Sequence, residues 1–189
     1  DWDVETISAD AMIADMEAVV AASGLDRFGL FGISQGAGHS VRYAVEHPEQ
    51  VTCLVLFGGY PQGRLARNDP EETRMHETSK LMIREGWGSP NPLYRNFFTS
   101  AFVPDAPRAV QDSFDEIQRM STNTENALRI FDMNSHLDVS ALASQVRVPT
   151  LVLHNKGDRM VPIEQGRAIA RLIPGATFVE LPGSDHPII

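Results

Sequence analysis

Cysteine, basic clusters and long apolar runs are nearly missing from this chain, and each absence excludes a class of protein. The single Cys53 cannot form a disulfide within the chain, which argues against a disulfide-stapled secreted scaffold and favours a reducing cytoplasm. No apolar run approaches the roughly 20 residues of a membrane helix. Sixteen basic against 25 acidic residues give a net charge of -9, which disfavours binding of nucleic acid. A soluble protein without a membrane or nucleic-acid partner remains.

The remaining composition is that of an ordinary globular domain. At 189 residues, with 42% hydrophobic and 22% charged residues, the chain can bury a sizeable core. Cys53 lies within the apolar run 51–57, so we expect a buried structural thiol rather than a nucleophile. Residues 1–5 are acidic, whereas a secretory signal peptide would begin with basic residues. This also favours the cytoplasm.

The most informative motif is Gly-x-Ser-x-Gly at residues 32–36. It stands between an apolar run and a predicted helix, and such a strand-turn-helix elbow holds a nucleophilic serine exposed. Gly32 and Gly36 carry no side chain, so the strand and the helix can approach each other around Ser34. A glycine-rich turn of a nucleotide-binding fold explains the same five residues equally well. Residues further along the chain must therefore decide between the two interpretations.

Strand and helix signals alternate at both ends of the chain. Short apolar strands alternating with helices indicate a mostly parallel sheet with helices on both faces. We therefore assign residues 1–58 and 146–189 to an α/β core. Its predicted elements are a helix from Ser8 to Gly24, a strand before Ser34, a helix over 35–46, a strand around Leu54, a strand over 149–154, a helix over 162–173 and a strand over 176–181.

Residues 59–145 show helix signals without strands, which predicts an inserted helical cap. Asp69 before Pro70, and a capping box beginning at Thr122, each indicate the start of a helix. The segment holds four of the seven methionines and five of the nine phenylalanines. Most such residues belong to a core, but a minority would line an apolar substrate pocket above Ser34. The pocket candidates are Phe97, Phe98, Phe102, Met120 and Phe131, together with His154 at the end of a core strand.

Two later residues supply the partners that a nucleophilic serine needs. Asp158 follows the strand 149–154 and His186 follows the strand 176–181, so a parallel sheet would bring both to the edge where Ser34 lies. A nucleotide-binding turn gives no reason for an acid and a histidine at these places. Asp158 as a simple helix cap and Asp185 as a rival acid are the alternatives. Asp185 directly precedes the histidine in a tight turn, which favours a turn residue.

The other histidines are interpreted as structural. His39 is expected to pack within the helix after Ser34, and His47 before a proline is expected in a surface turn. His76 and His136 lie in the predicted cap. None of these residues shows the spacing of metal ligands, so the sequence predicts no metal site.

With these residues in place, the chain resembles the α/β-hydrolase superfamily, most closely the lid-bearing serine hydrolase domains found alone or fused to bacterial regulators. The resemblance implies an α/β-hydrolase fold with a helical lid after the sixth strand and no cofactor. The segments that carry it are Phe31-Gly32-Ile33-Ser34-Gln35-Gly36, His47-Pro48-Glu49-Gln50-Val51, Pro149-Thr150-Leu151-Val152-Leu153-His154, Gly157-Asp158 with Val161-Pro162, and Gly183-Ser184-Asp185-His186.

The resemblance also implies a chemistry. Ser34 would be the nucleophile, His186 the base and Asp158 the residue that orients it, while the Gln35 N–H would bind the oxyanion. The substrate would be a carboxylic ester, lactone or related small acyl compound, cleaved through an acyl-enzyme. Carbon–carbon bond hydrolysis and perhydrolysis use the same triad, whereas dehalogenases and epoxide hydrolases carry an aspartate at the nucleophile position. A ligand-sensing domain of a larger regulatory protein, with weak or no turnover, is the second function class.

The chain departs from this family in length. Only 33 residues precede Ser34, too few for the four strands that open the fold, so the four predicted strands correspond to the fifth to eighth. We expect the C-terminal half of the sheet, whose first strand has an unpaired edge that invites self-association. The loop that supplies the second oxyanion donor would be missing. The expectation is therefore an activity well below that of an intact parent protein.

Overall fold

The computed structural model describes residues 3–187 and contains a core of strands and helices interrupted by a helical segment. The helix predicted over 35–46 is observed at these residues, and the elements predicted over 149–154, 162–173 and 176–181 begin and end within one residue of the observed ones. The elements are α1 (Ala9–Ser23), β1 (Phe28–Ile33), α2 (Gln35–Glu46), β2 (Val51–Phe57), α3 (Pro70–Gly86), α4 (Pro92–Phe102), α5 (Arg108–Ser121), α6 (Thr124–His136), α7 (Ser140–Ala143), β3 (Thr150–Asn155), α8 (Ile163–Leu172) and β4 (Thr177–Leu181).

The four strands form one parallel sheet in the order β1-β2-β3-β4. This confirms the predicted parallel half-sheet of an α/β fold. Since all four strands run the same way, their carboxyl ends meet at one edge, where side chains from separate parts of the chain can converge. Within residues 3–187, β1 pairs with β2 alone, so its other edge is open.

One face of the sheet forms the hydrophobic core with α1, α2, α7 and α8. Leu54 and Leu56 of β2 are completely buried there, as are Val41 of α2 and Ile169 of α8. Alternation along a strand sends neighbouring residues to opposite faces, so these leucines and Cys53 lie on different sides. The burial of this one face positions α2, and with it the turn that carries the candidate nucleophile.

The opposite face of the sheet remains partly exposed. Phe31 on β1 is 49% exposed and Val179 on β4 is 38% exposed. Cys53 belongs to this face, beside Gly29 of β1, and it is exposed. The prediction of a buried thiol was therefore wrong, because an apolar run does not reveal which face of the sheet is covered.

Three of the four capping residues named from the sequence lie at observed helix ends. Ser8 caps α1 by accepting a hydrogen bond at 3.1 Å from the N–H three residues on, and Gly24 ends that helix with φ +68°. Asp69 caps α3 in the same way. The capping box predicted at Thr122 was wrong by one residue, since the Asn123 side chain makes the bond that begins α6.

Helices α3 to α6 form the helical segment between β2 and β3, for which we keep the name cap, and some of its aromatic side chains line a cavity together with Ser34 and His186. The predicted cap range of 59–145 also includes α7, which contacts the core helices. Val139 and Ala143, at the start and end of the α7 region, belong to the buried core cluster and pack with α2 and α8. Within residues 3–187, no helix has the length and apolarity that crossing a bilayer requires.

Candidate active site

Ser34 lies in a strained turn between β1 and α2. Its backbone has φ 55° and ψ -125°, a conformation that costs free energy for any residue with a Cβ and that is typical of functional turns. The turn is tied to the sheet because Ser34 N–H donates to the Phe57 carbonyl at 2.9 Å. Helix α2 begins at the next residue, and the first N–H groups of a helix lack acceptors within it. The Gln35 N–H is therefore available to an anion beside Ser34.

The two glycines of the elbow differ in what their missing side chains allow. A Cβ built on Gly32 would lie 2.5 Å from Ser40 Oγ and 2.7 Å from the Gly36 carbonyl oxygen, so only glycine fits between β1 and α2. A Cβ on Gly36 would meet no atom within 4 Å. The steric argument made from the sequence therefore applies to Gly32, and it is wrong for Gly36.

His186 and Asp158 form a buried hydrogen-bonded pair. His186 Nδ1 donates to Asp158 Oδ2 at 2.7 Å, and the other carboxylate oxygen accepts from the backbone N–H groups of Met160 at 2.9 Å and Val161 at 3.0 Å. The aspartate side chain is fully buried. With its proton on Nδ1, the imidazole keeps a lone pair on Nε2. Within the described chain Nε2 has no hydrogen-bond partner, so it is free to accept a proton.

Ser34 and His186 line the same cavity, but their side chains are not hydrogen-bonded to each other. Ser34 Oγ instead donates to Gln35 Oε1 at 3.4 Å, a long contact on the surface of the elbow. Hydrogen bonds between a nucleophile and its base are often long or unformed until the substrate binds. The structure thus brings the serine to the cavity that holds the histidine–aspartate pair. The Ser34 side chain must still change rotamer for its Oγ to reach His186.

A second histidine touches the buried acid. His154 Nε2 donates to the Val161 carbonyl at 2.9 Å and lies 3.4 Å from Asp158 Oδ2. Burial by itself would raise the pKa of Asp158, but the close contact with His154 and the hydrogen bond from His186 outweigh it and bring that pKa to about 2. His154 is fully buried, so its predicted place in the substrate pocket was wrong. It fits because Gly166 on α8 has no Cβ, which would lie 2.3 Å from the ring.

The low pKa of Asp158 predicts a loss of stability in acid. Because the folded-state pKa of about 2 lies below the ordinary 3.8, the ionised carboxylate stabilises the fold above roughly pH 4, and this contribution disappears as the pH falls through 2. The shift corresponds to about 2 kcal/mol. Urea unfolding at pH 5 and pH 2 should show that the wild type loses about 2 kcal/mol more than Asp158→Asn, which has no carboxylate there to titrate. Equal losses in the two proteins would contradict this.

The cavity above Ser34 has a volume of about 340 Å³ and lies between the sheet edge and the cap. Of the predicted pocket residues, Phe98, Phe102 and Phe131 line it. Phe97 faces a neighbouring cavity instead, because successive residues of a helix point about 100° apart. Met120 is 61% exposed on α5 and does not line the cavity. These two pocket predictions were wrong.

The histidine loop is anchored to the cap. His186 N–H donates to the Phe102 carbonyl at 2.6 Å, and the Phe102 ring lies edge-on to the imidazole at 5.4 Å between centroids. Asp185 Oδ1 accepts from the Asp105 N–H at 2.9 Å, and the Asp185 carbonyl accepts from the Asn155 side chain at 2.6 Å. Asp185 therefore fixes the loop, and the imidazole takes Asp158 as its carboxylate.

The segment that follows β2 contributes residues that the sequence did not point to. Gly58 has φ +59°, and a Cβ there would lie 3.2 Å from His186 Cε1. Tyr60, Arg64 and Arg67 line the cavity. For Gly58, the sequence signal is the Gly58-Gly59 pair at the carboxyl end of a strand. For the arginines there is no such signal, because the direction of a side chain in an irregular segment leaves no pattern in the sequence.

The remaining histidines have structural surroundings. His39 is buried in α2, and His47 Nε2 contacts Glu17 Oε1 at 2.9 Å on the surface. His76 is fully buried against Asp132 of α6. Residues 3–187 contain no group of three or more His, Cys, Asp or Glu side chains placed to hold a metal ion.

Comparison with protein families gives one extended match. The family described as alpha/beta hydrolase fold matches residues 3–189. A putative carbamate hydrolase from Klebsiella pneumoniae is 26% identical over 95% of this chain and 66% of its own length. A pyrrolizixenacetamide deacetylase from Xenorhabdus hominickii is 28% identical over 89% of this chain and 62% of its own. The chain thus spans slightly less than two thirds of these relatives.

Solved structures share the fold at low sequence identity. A hydrolase from Oleispira antarctica superposes with a TM-score of 0.81 at 14% identity, covering 95% of this chain and 65% of the other. An esterase from Exiguobacterium antarcticum gives 0.79 at 20% identity, with 95% and 67% covered. An enol-lactonase from Burkholderia xenovorans gives 0.77 at 20% identity, with 95% and 66% covered. At such identities the likeness concerns the fold alone.

Proposed function

This chain belongs to the α/β-hydrolase family, and from that premise we propose that it is a serine hydrolase acting on a carboxylic ester, lactone or related small acyl compound. The observation that carries the proposal is the 2.7 Å hydrogen bond between His186 and Asp158 in the cavity that Ser34 also lines. The strained backbone at Ser34 supports the proposal. A strained conformation persists only where the surrounding structure enforces it, and such residues cluster at active sites.

The proposed reaction begins with attack by Ser34. As its Oγ bonds to the acyl carbon, the hydroxyl proton passes to His186 Nε2, and Asp158 stabilises the imidazolium through the bond to Nδ1. The tetrahedral intermediate then collapses, and the leaving group departs with the proton from Nε2. Water attacks the acyl-enzyme with His186 again as the base, which returns Ser34 to its hydroxyl form.

The oxyanion of each tetrahedral intermediate would be bound at the start of α2. The Gln35 N–H lies directly after the nucleophile, where the positive end of the helix dipole favours negative charge. One such donor is worth about 10² to 10³ in rate. The close packing of α2 on β1 at Gly32 constrains the turn that carries both Ser34 and this donor.

Two relatives are consistent with acyl chemistry. One is named as a putative carbamate hydrolase and the other as a deacetylase, and both names describe cleavage at an acyl carbon. At 26% and 28% identity they suggest the reaction class without a particular substrate.

Covalent labelling of Ser34 tests the proposal. A fluorophosphonate should add its phosphonyl group to the wild-type protein, and peptide mass spectrometry should locate it on Ser34. The Ser34→Ala variant should take up none, whereas Ser113→Ala, which removes an exposed hydroxyl from α5, should label like the wild type. If folded wild-type protein remains unlabelled, the hydrolase proposal fails and a ligand-sensing role becomes the better interpretation.

A further inference from the structure

The charges that line the cavity are of one sign. Arg64 and Arg67 both contribute to its wall, and among the described residues that line it there is no aspartate or glutamate. This is unexpected in a chain with a net charge of -9. Much of the remaining wall is apolar and aromatic, including Phe102 and Phe114. A cavity of this kind suits a ligand with an apolar body and an anionic end.

The two guanidinium groups are held in place without being fully neutralised. Arg64 Nη2 donates to the Met160 carbonyl at 3.2 Å, and Arg67 Nε donates to the Gln62 carbonyl at 3.2 Å. Within residues 3–187, the carboxylate at ion-pair distance from them is that of Glu72, which pairs with Arg67 and lies 3.6 Å from Arg64. Two guanidinium groups thus share one carboxylate at ion-pair distance, and Asp69 adds only a weaker attraction to Arg67, so the pair is not fully neutralised.

Burial makes this excess charge costly. Loss of water is the main effect on Arg67 and lowers the pKa of its guanidinium, while Glu72 acts in the opposite direction. The nearby Tyr60 is buried, which raises its pKa to about 12, so its phenol remains protonated and able to donate a hydrogen bond. An anion entering the cavity would offset the uncompensated charge and could accept from all three side chains.

We propose that Arg64 and Arg67 form a carboxylate-binding subsite of the cavity, and that the substrates are small acyl compounds carrying a second, anionic carboxylate away from the scissile carbonyl. The inference rests on the proposed hydrolase function, since the cavity is the one that Ser34 lines. The planar, bidentate guanidinium matches a carboxylate better than any other side chain does.

A purely structural role for the arginines makes a different prediction about Glu72. If Arg64, Arg67 and Glu72 only tied the start of the cap together, removing the glutamate charge would weaken the region and any binding in it. If the arginines bind a carboxylate, Glu72 competes with the ligand. The Glu72→Gln variant should then bind the carboxylate more tightly than the wild type does.

Calorimetric titration with 4-phenylbutyrate and its uncharged amide, 4-phenylbutyramide, separates charge from shape. The wild type should bind the carboxylate at least tenfold more tightly than the amide. Arg64→Gln and Arg67→Gln should reduce this preference to less than threefold, and Glu72→Gln should increase it. Arg108→Gln, which alters an exposed cap arginine paired with Asp112, should leave it unchanged. Equal binding of the two probes to the wild type, or binding of neither, would overturn the proposal, and so would weaker carboxylate binding by folded Glu72→Gln.

The same titration on Ser34→Ala distinguishes the two proposals. The preference for the carboxylate should persist in this variant, because the subsite does not need the nucleophile. If the wild-type serine does not react with fluorophosphonate but the preference for the carboxylate persists, the carboxylate subsite is supported and the hydrolase proposal is rejected. A serine that labels normally, together with equal binding of both probes, would keep the hydrolase and reject the subsite.

Discussion

Replacing Asp158 by asparagine is expected to lower kcat for an aryl ester by about 10⁴ while the protein stays folded. The substitution changes one atom of the side chain and leaves its volume almost unaltered. Its effect comes from the hydrogen bonds around the carboxylate, all of which the carboxylate accepts. Two come from backbone N–H groups of Met160 and Val161, and one comes from His186.

The backbone groups decide which way the asparagine amide turns. Its carbonyl oxygen must face the two N–H donors, because an NH₂ group there would oppose them. The NH₂ group then faces His186, and Nδ1 must become an acceptor to meet it. The imidazole proton moves to Nε2, which loses the lone pair that takes the Ser34 proton. The variant thus keeps the histidine in position but in the wrong tautomer.

Steady-state hydrolysis of p-nitrophenyl acetate measures the effect, with thermal unfolding as the check on folding. Asp185→Asn is the matched control, because it changes the adjacent acid but retains an oxygen that can accept from the Asp105 N–H. It should keep kcat within about threefold of the wild type. A larger loss in Asp185→Asn than in Asp158→Asn would reverse the assignment of the two acids.

The sequence was sufficient for the core because several independent signals agree there. A glycine-serine turn after one strand, an acid after the third and a histidine after the fourth are meaningful only if the strands are parallel and adjacent, and the sheet has this order. Short apolar runs and helix signals also located the core elements that were given bounds after Ser34 to within about a residue. The sequence alone therefore assigns three distant residues to one edge of the sheet.

The cap could not be resolved in the same way, because its function depends on side-chain direction. Phe97 and Phe98 are identical in type and adjacent in sequence, but only Phe98 lines the cavity with Ser34. His154 lies near the end of a core strand, at the predicted edge. Because Gly166 on α8 has no side chain, the His154 ring is buried next to Asp158 instead of lining the cavity. Such outcomes follow from packing between elements, which a one-dimensional pattern does not contain.

The arginines of the cavity illustrate the same limit. Arg64 and Arg67 stand in an irregular segment after β2, where neither a 3.6-residue nor a two-residue period applies. Their approach to the cavity depends on the carbonyls of Gln62 and Met160 that hold them. The first of these carbonyls is close in sequence and the second is far away, so the pair becomes visible only in three dimensions.

Alanine at Gly32 is expected to destabilise the fold by about 3 kcal/mol, whereas alanine at Gly36 should stabilise it by about 0.5 to 1 kcal/mol. A methyl group on Gly32 would stand 2.7 Å from the Gly36 carbonyl oxygen and 2.9 Å from Ala37 Cα. Both atoms belong to the backbone of α2, so no side chain can rotate away. Relief requires the first turn of α2 to move off β1.

Gly36 is the matched control because it lies in the same motif without a close neighbour. Its Cβ would meet nothing within 4 Å, and alanine is a better helix former than glycine. Urea unfolding of both variants at pH 7 measures the two free energies of unfolding. Equal effects would mean that the elbow glycines share one steric role, against the structure. The opposite signs expected here would show that the contact at Gly32 stabilises the packing of α2 on β1, the two elements that the Ser34 turn connects.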